Sequence, residues 1–184
     1  MPITIIERFL RFRFDDTWAV IKYDDHRDYL ERIRHLPETK GVDFVAVLDE
    51  RFLYFIEVRD FRGHRIENRA RVKDGELAIE VAQKVRDTIA GIVAAHHRGS
   101  TEEWSRFIEC LTNSVNPVRV LLWLEDDLPP GHRGRRHNQA SVVTDRLKQH
   151  LSWLTPRVFV VGLTVGAAPN GLTVTNLPGA GRSN

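Results

Sequence analysis

Hydrophobic residues are concentrated in two neighbouring segments, Gly41–Leu48 and Phe52–Arg59, which are separated by the polar triplet Asp49-Glu50-Arg51. Aromatic and β-branched runs on either side of a short polar break are typical of a β-hairpin. Apolar residues stand at both odd and even positions, so these strands lack the alternation that marks one solvated face. A strand with two apolar faces has to be covered on both sides. The pattern therefore predicts a hairpin at the centre of an α/β sandwich.

Each predicted strand carries one acidic residue near the open end of the hairpin, Asp43 in the first and Glu57 in the second. A three-residue loop places Asp43 directly opposite Glu57, with Cβ atoms roughly 4.5–5.5 Å apart. When two carboxylates lie this near to each other in an apolar setting, either the pKa of one of them rises or the two share a cation. A divalent metal is the simpler explanation. Two alternatives remain: a two-residue loop, Glu50-Arg51, that separates the acids, or a pair of solvated acids at strand ends.

The rest of the chain predicts helices and strands in alternation, from apolar periodicity, capping residues and Gly or Pro breaks. The predicted elements are a short helix or strand within 2–14, a strand at 18–23, a helix from Asp24 or Asp25 to about Leu36, a long helix from about Glu76 to His96, a helix at about 102–112, a strand at 117–124, a helix at about 139–153, a strand at 157–165 and an edge strand at 171–175. We expect a single domain over residues 1–176 and a flexible tail at 177–184.

Composition narrows the function classes only modestly. The 184 residues are 42% hydrophobic, which is enough for one core, and no apolar run is long enough to span a membrane. The N-terminal residues lack a signal-peptide pattern, and the single cysteine, Cys110, suits a reducing compartment, so we expect a cytoplasmic location. The formal net charge is only +2, so any nucleic-acid affinity must come from local basic patches.

The order Asp43, a short interval, then Glu57-Val58-Arg59 resembles the core motif of the PD-(D/E)xK nuclease superfamily. The predicted order of elements is similar to that family's core over most of residues 18–165. The resemblance implies a restriction-endonuclease-like fold, a three-layer sandwich with a central mixed sheet flanked by helices. It also implies that Asp43 and Glu57 bind Mg²⁺ or Mn²⁺ and that the Val58 carbonyl is a further ligand.

Arg59 stands where the family has its lysine. Arginine stays protonated and cannot take a proton from water, although it can hold a phosphate oxygen or stabilise a transition state. A lysine from elsewhere, Lys84 or Lys40, could take the other role, and the resemblance implies that Gln83 or Lys84 of the long helix lies near the metal. The alternatives are a catalytically inactive nuclease-fold protein, acting as a nucleic-acid-binding or scaffold subunit, and an α/β interaction domain with incidental acids.

Two basic segments are placed to meet phosphates. Arg62 and Arg65 follow the second strand of the hairpin, and Arg133, Arg135 and Arg136 follow the strand at 117–124. Basic side chains near a metal site are suited to contacts with a nucleic-acid backbone. The alternative for both segments is a solvated loop.

The resemblance thus predicts a Mg²⁺-dependent nuclease that acts on DNA more readily than on RNA, in DNA processing or in defence. Asp43, Glu57, Arg59 and Lys84 are the predicted catalytic residues. We expect no membrane partner. Because so small a domain has no separate recognition module, we expect either a homodimer or a larger protein partner that delivers the substrate.

Overall fold

The computed structural model of the chain describes residues 1–62, 74–99, 103–126 and 133–178. Its strands and helices follow in chain order: β1 (Ile3–Glu7), β2 (Leu10–Phe14), β3 (Trp18–Lys22), α1 (Arg27–Leu30), a 3₁₀ turn (Ile33–His35), β4 (Phe44–Leu48), β5 (Phe52–Asp60), α2 (Glu76–His97), α3 (Glu103–Thr112), β6 (Val118–Glu125), α4 (Arg133–His150), β7 (Val158–Val161) and β8 (Leu172–Asn176).

The central sheet has five strands in the order β3-β4-β5-β6-β7. The first three strands are antiparallel, and β5, β6 and β7 are parallel. Leu48 pairs with Phe52 across the β4–β5 turn, which confirms the predicted three-residue loop. The loop closes with Asp49 and Glu50 at φ values of 52° and 54°, the left-handed region that a tight reversal needs. This register brings the segments that carry Asp43 and Glu57 side by side.

Both faces of the central sheet are buried, as its apolar pattern predicts. Val45 and Phe55 lie in a core cluster with residues of α2, α3 and α4, whereas Phe44 and Ile56 lie in a second cluster on the opposite face. None of the described helical residues belongs to that second cluster. The fold is therefore a mixed α/β fold in which the described helices pack against one face of the central sheet.

The opposite face is covered by a second sheet, which corrects the prediction of helices on both sides. Strands β1, β2 and β8 form a three-stranded antiparallel sheet, with Phe14 paired to Leu172. In β2 the buried residues Leu10, Phe12 and Phe14 alternate with exposed arginines. This period of two is the signal of a half-buried strand, and it is obscured in the sequence by Ile6 and Phe9, two exposed apolar residues near the β1–β2 turn.

Several predicted boundaries also change. The predicted helix at 24–36 is instead the short α1 and the 3₁₀ turn, and α1 is capped by His26 Nδ1, which accepts from Asp28 N at 3.1 Å. Helix α4 begins at Arg133 rather than near residue 139, so the basic segment predicted as a loop supplies its first turns. Strand β7 ends at Val161, and Leu163 N turns to the Glu125 carboxylate at 2.7 Å.

Over the described ranges, the chain has no helix whose length and apolar character would suit a membrane crossing. The predicted tail at 177–184 is described only at its first two residues. Leu177 N donates to Phe9 O at 2.9 Å, so the chain is still attached to the β1–β2 turn at that point.

Candidate functional site

Asp43 and Glu57 lie at the open end of the β4–β5 hairpin, on the face that packs against α2. Asp43 directly precedes β4, and its carbonyl accepts from Tyr23 N at 2.9 Å, which extends the β3–β4 ladder. Its side chain turns toward β5, where Oδ2 accepts from Val58 N at 2.6 Å. Glu57 lies within β5 and is only 1% exposed. The hairpin therefore holds two buried carboxylates next to each other, as the register predicts.

Lys84 of α2 contacts this pair. Helix α2 is fixed on the sheet by buried residues such as Val81 and Val85, which leave Lys84 pointing at the end of the hairpin. Its Nζ donates to both carboxylate oxygens of Glu57, at 2.8 and 2.9 Å, and lies 4.0 Å from Asp43 Oδ1. The predicted site residues Asp43, Glu57 and Lys84 are thus brought together, whereas Gln83 faces away into a neighbouring cavity.

Arg59 also lies beside Glu57, but its main partner is another acid. Its Nη2 is 3.1 Å from Glu57 Oε1 and 2.6 Å from Glu80 Oε1. Glu80 is one helical turn before Lys84, and Lys40 Nζ lies 3.8 Å from the same Oε1 atom. Arg59 is therefore held by two carboxylates, and Lys84 is the cation nearer to Asp43 and Glu57.

Two further acids, Glu7 and Asp24, extend the site. One carboxylate oxygen each of Glu7, Asp24 and Asp43 lies within 4.8 Å of the other two. Lys22 Nζ partly neutralises them, at 3.1 Å from Glu7 Oε2 and 2.9 Å from Asp24 Oδ1. Glu7 ends β1, far from the hairpin in sequence, and no local pattern pointed to it. Asp24 follows β3 and was interpreted as a helix cap.

The acids of this site are costly to ionise without a cation. Burial, and then the nearby charge of Glu57, raise the pKa of Asp43 from 3.8 to about 8. Burial also raises the pKa of Glu57, although the charges of Arg59 and Lys84 oppose that effect. Burial likewise raises the pKa of Asp24. A positively charged ligand would stabilise the ionised forms.

The donor set fits a hard divalent cation. Glu7, Asp24 and Asp43 offer only carboxylate oxygens, which Mg²⁺, Mn²⁺ and Ca²⁺ prefer. Glu57 is adjacent, but Lys84 binds both of its oxygens, so Glu57 would have to share one of them with a metal. Val58 donates its amide to Asp43, and the role of its carbonyl as a ligand stays a prediction.

The predicted phosphate contacts are only partly available. Arg62 pairs with Asp60, with Nε at 2.7 Å from Oδ1, and Arg136 pairs with Asp126 at 3.0 Å. Arg135 is exposed on the first turn of α4. Arg65 lies outside the described residues, as does the side chain of Arg133. Asp60 and its strand partner Glu125 lie at the same end of the central strands as Asp43. Arg62 and Arg136 therefore lie at that end of the sheet too, but each of them is paired with an acid.

Fold and site together define a mixed α/β protein. A buried cluster of carboxylates, lysine and arginine lies at the ends of the central strands β4 and β5. No protein-family model matches the chain, and no solved structure matches it. The chain is similar to a cysteine--tRNA ligase from Neisseria meningitidis serogroup A, with 27% identity over 171 aligned positions that cover 79% of this chain. The chain spans about a quarter of that curated relative, with 24% of its length covered. None of these comparisons identifies a nuclease family.

Proposed function

We propose that the chain is a Mg²⁺- or Mn²⁺-dependent nuclease that hydrolyses phosphodiester bonds, in DNA more readily than in RNA. The observation that carries this proposal is the position of Lys84, whose ammonium group binds buried Glu57 and lies 4.0 Å from Asp43 Oδ1. A lysine beside two buried acids supplies what Arg59 lacks, a compact ammonium group whose three donors can rotate toward a water or a carboxylate. We infer that Lys84, contributed by α2, takes the role of the lysine in the PD-(D/E)xK motif.

Asp43 would hold the metal together with Glu7 and Asp24, and Glu57 would join them through one oxygen. A metal bound there would supply Lewis-acid chemistry, lowering the pKa of a coordinated water and neutralising charge on a phosphate. Lys84 would orient the attacking water by donating a hydrogen bond to it. Arg59, always protonated, would contact the phosphate from its position between Glu57 and Glu80.

The topology supports a restriction-endonuclease-like fold as the finer assignment. An antiparallel hairpin is followed by a helix and by strands that join the same sheet in parallel, and the acids lie at the end of that hairpin. The three-stranded sheet on the second face departs from the expected helical layer. A cytoplasmic location, a role in DNA processing or defence, and a homodimer or larger protein partner remain part of this proposal.

The test is a cleavage assay with wild type, Asp43→Asn and Glu57→Gln in Mg²⁺ or Mn²⁺. Substrates are single- and double-stranded DNA and a tRNA, the last because the relative's name refers to one. We expect wild type to cleave DNA, and each variant to lose at least about 100-fold in rate, the lower end of the effect of removing one group that supports electrostatic stabilisation of the transition state. Asp16→Asn, a matched change of an exposed acid outside the site, should cleave like wild type. Cleavage by Asp43→Asn at the wild-type rate would contradict the proposal.

A second candidate function is a nucleic-acid-binding subunit of the same fold without catalysis. It is favoured by one observation: Lys84 and Arg59 already occupy the carboxylate oxygens of Glu57. If this candidate is right, the wild-type protein binds oligonucleotides but does not cleave them in Mg²⁺ or in Mn²⁺. Binding would then be unchanged or improved by Glu57→Gln, because the variant removes the carboxylate that binds Lys84, whereas Arg59 stays paired with Glu80.

A further inference from the structure

A cavity lies beside the cluster formed by Asp43, Glu57 and Lys84 and takes no part in the proposed chemistry. It has a volume of about 420 Å³, within the range of small-molecule sites in proteins. Residues 36–40 form one wall and α2 forms the other, with Gln83 and Arg86 on the helical side. A cavity of this size can hold a single small molecule or one nucleotide.

The cavity is connected to the site through its own lining. Lys40 lines it and also places Nζ at 3.8 Å from Glu80 Oε1, the atom that holds Arg59. Gln83 lines it and is the residue immediately before Lys84. The cavity therefore adjoins the site on the side of Glu80 and Arg59, with Lys40 between them.

The walls combine apolar, planar and hydrogen-bonding groups, and they carry two acids, Glu38 and Asp87, beside the cations Lys40 and Arg86. Leu36 is 66% exposed and Pro37 lies beside it, so an apolar surface faces solvent. The Arg86 side chain is 65% exposed, and its guanidinium is held by Asp87 Oδ1 at 2.9 Å through both Nε and Nη2. A planar guanidinium stacks well on a nucleobase. The Gln83 amide can both donate and accept, as recognition of a base edge requires.

The pocket wall is also anchored. Lys40 N donates to Asp87 Oδ2 at 3.1 Å, so Asp87 holds the backbone of the 36–40 segment with one oxygen and Arg86 with the other. The two walls are therefore tied to each other through one carboxylate. A pre-formed pocket loses less conformational entropy when it binds a ligand.

We propose that this cavity binds one unpaired nucleotide next to the scissile phosphate, with its base against Arg86 and Leu36. The substrate class is then single-stranded or locally unpaired nucleic acid, because a base stacked and paired in a duplex has to be extruded before it can enter a pocket. This inference rests on the proposed function for the position of the neighbouring phosphate. The base-binding step itself needs no cleavage.

Binding is measured by fluorescence anisotropy in EDTA at low salt, with the Asp43→Asn/Glu57→Gln protein, in which cleavage is disabled. The probes are a single-stranded 12-mer of thymidylate, the same length of duplex, and a 12-mer of abasic deoxyribose phosphates. We expect the single strand to bind at least ten-fold more tightly than the duplex or the abasic strand. Adding Arg86→Ala should remove most of this difference. Adding Arg13→Ala, an exposed arginine of β2 on the far side of the central sheet, should leave it in place.

Equal affinity for the abasic strand and for thymidylate would overturn the inference, since only phosphate contacts would then matter. A duplex bound as tightly as the single strand would also overturn it. Equal effects of Arg86→Ala and Arg13→Ala on the preference for the single strand would do the same. The wild-type cleavage assay is independent of these results. A protein that prefers single strands through Arg86 but never cleaves would refute the proposed function and leave the nucleotide pocket intact.

Discussion

Glu57 is buried against two cations and one acid, and its environment shows how single residues create the chemistry of this site. Burial raises the pKa of its carboxyl, whereas the Arg59 guanidinium and the Lys84 ammonium lower it. Removing one member of a buried charged group leaves the others without compensation, which costs far more than losing an exposed ion pair. The site residues therefore act as one coupled unit.

Asp43 gives a prediction about pH. Its pKa is about 8 in the folded protein and 3.8 ordinarily, so the folded state keeps a proton that the unfolded state loses between these values. The stability that Asp43 contributes is therefore present below about pH 4 and is lost as pH rises to about 8. In EDTA, Asp43→Asn should become more stable relative to wild type from pH 5 to pH 8, by about 1.4 kcal/mol or more, the equivalent of one pKa unit.

Urea denaturation of both proteins at several pH values measures this difference. Buried acids that lie away from Asp43 contribute equally to both proteins and cancel in the comparison. A difference that stays constant with pH would show that the Asp43 carboxyl titrates normally in the folded protein.

At the scale of elements, α2 positions the segment that leads into β4. Val42 N donates to Thr88 Oγ1 at 3.0 Å, and Thr88 is fully buried. Thr88→Val keeps the shape but leaves Val42 N–H without an acceptor, which should cost about 1–3 kcal/mol of unfolding free energy. Because Val42 directly precedes Asp43, we also expect weaker Mn²⁺ binding, measured by calorimetry.

Thr88→Ser is the matched control, since it keeps the hydroxyl and loses one methyl group. It should cost about 1 kcal/mol from the lost apolar contact and leave the Mn²⁺ affinity close to wild type. If Thr88→Val and Thr88→Ser bind Mn²⁺ equally, the hydrogen bond to Val42 does not position Asp43.

Gly91 of α2 lies very close to Tyr23, the residue that follows β3, and this contact also fixes where α2 sits on the sheet. A Cβ atom at Gly91 would overlap the Tyr23 hydroxyl, which is buried behind the helix. Glycine at this position lets α2 approach the end of β3 closely. The approach places Lys84, two helical turns earlier, over the end of the hairpin.

At the scale of the whole molecule, the three-stranded sheet completes the core. Phe12 is fully buried on the face opposite the helices, with its ring 5.3 Å from Phe44 and 5.6 Å from Trp123. Phe12→Ala should therefore cost about 3–5 kcal/mol of unfolding free energy. Phe9 lies in the same hairpin but is 57% exposed, and Phe9→Ala should change stability by less than about 0.5 kcal/mol.

Thermal and urea denaturation measure both substitutions. A single cooperative transition that shifts for Phe12→Ala would show that the small sheet and the central sheet unfold together. Equal, small effects of the two substitutions would mean that β1, β2 and β8 do not contribute to the cooperative core.

Local sequence was sufficient for the hairpin and for the pairing of its acids. Strand length, the polar triplet and two-sided burial are properties of neighbouring residues, so Leu48 pairs with Phe52 and Asp43 comes to lie beside Glu57 as predicted. The long helix α2 was also predicted to within one residue, because its apolar stripe repeats over 22 residues.

Tertiary structure decided everything that depends on residues distant in the chain. Glu7 joins Asp43 only because β1 packs beside the end of β3, and no local pattern records that neighbour. The identity of the second covering layer was open for the same reason, since a two-sided strand is equally well covered by a helix or a sheet. The ion pair of Arg136 with Asp126, ten residues earlier, was open for the same reason, because only the folded chain brings the start of α4 beside the residue that follows β6. The pairing of Arg62 with Asp60 is local by contrast, since the two residues lie two positions apart.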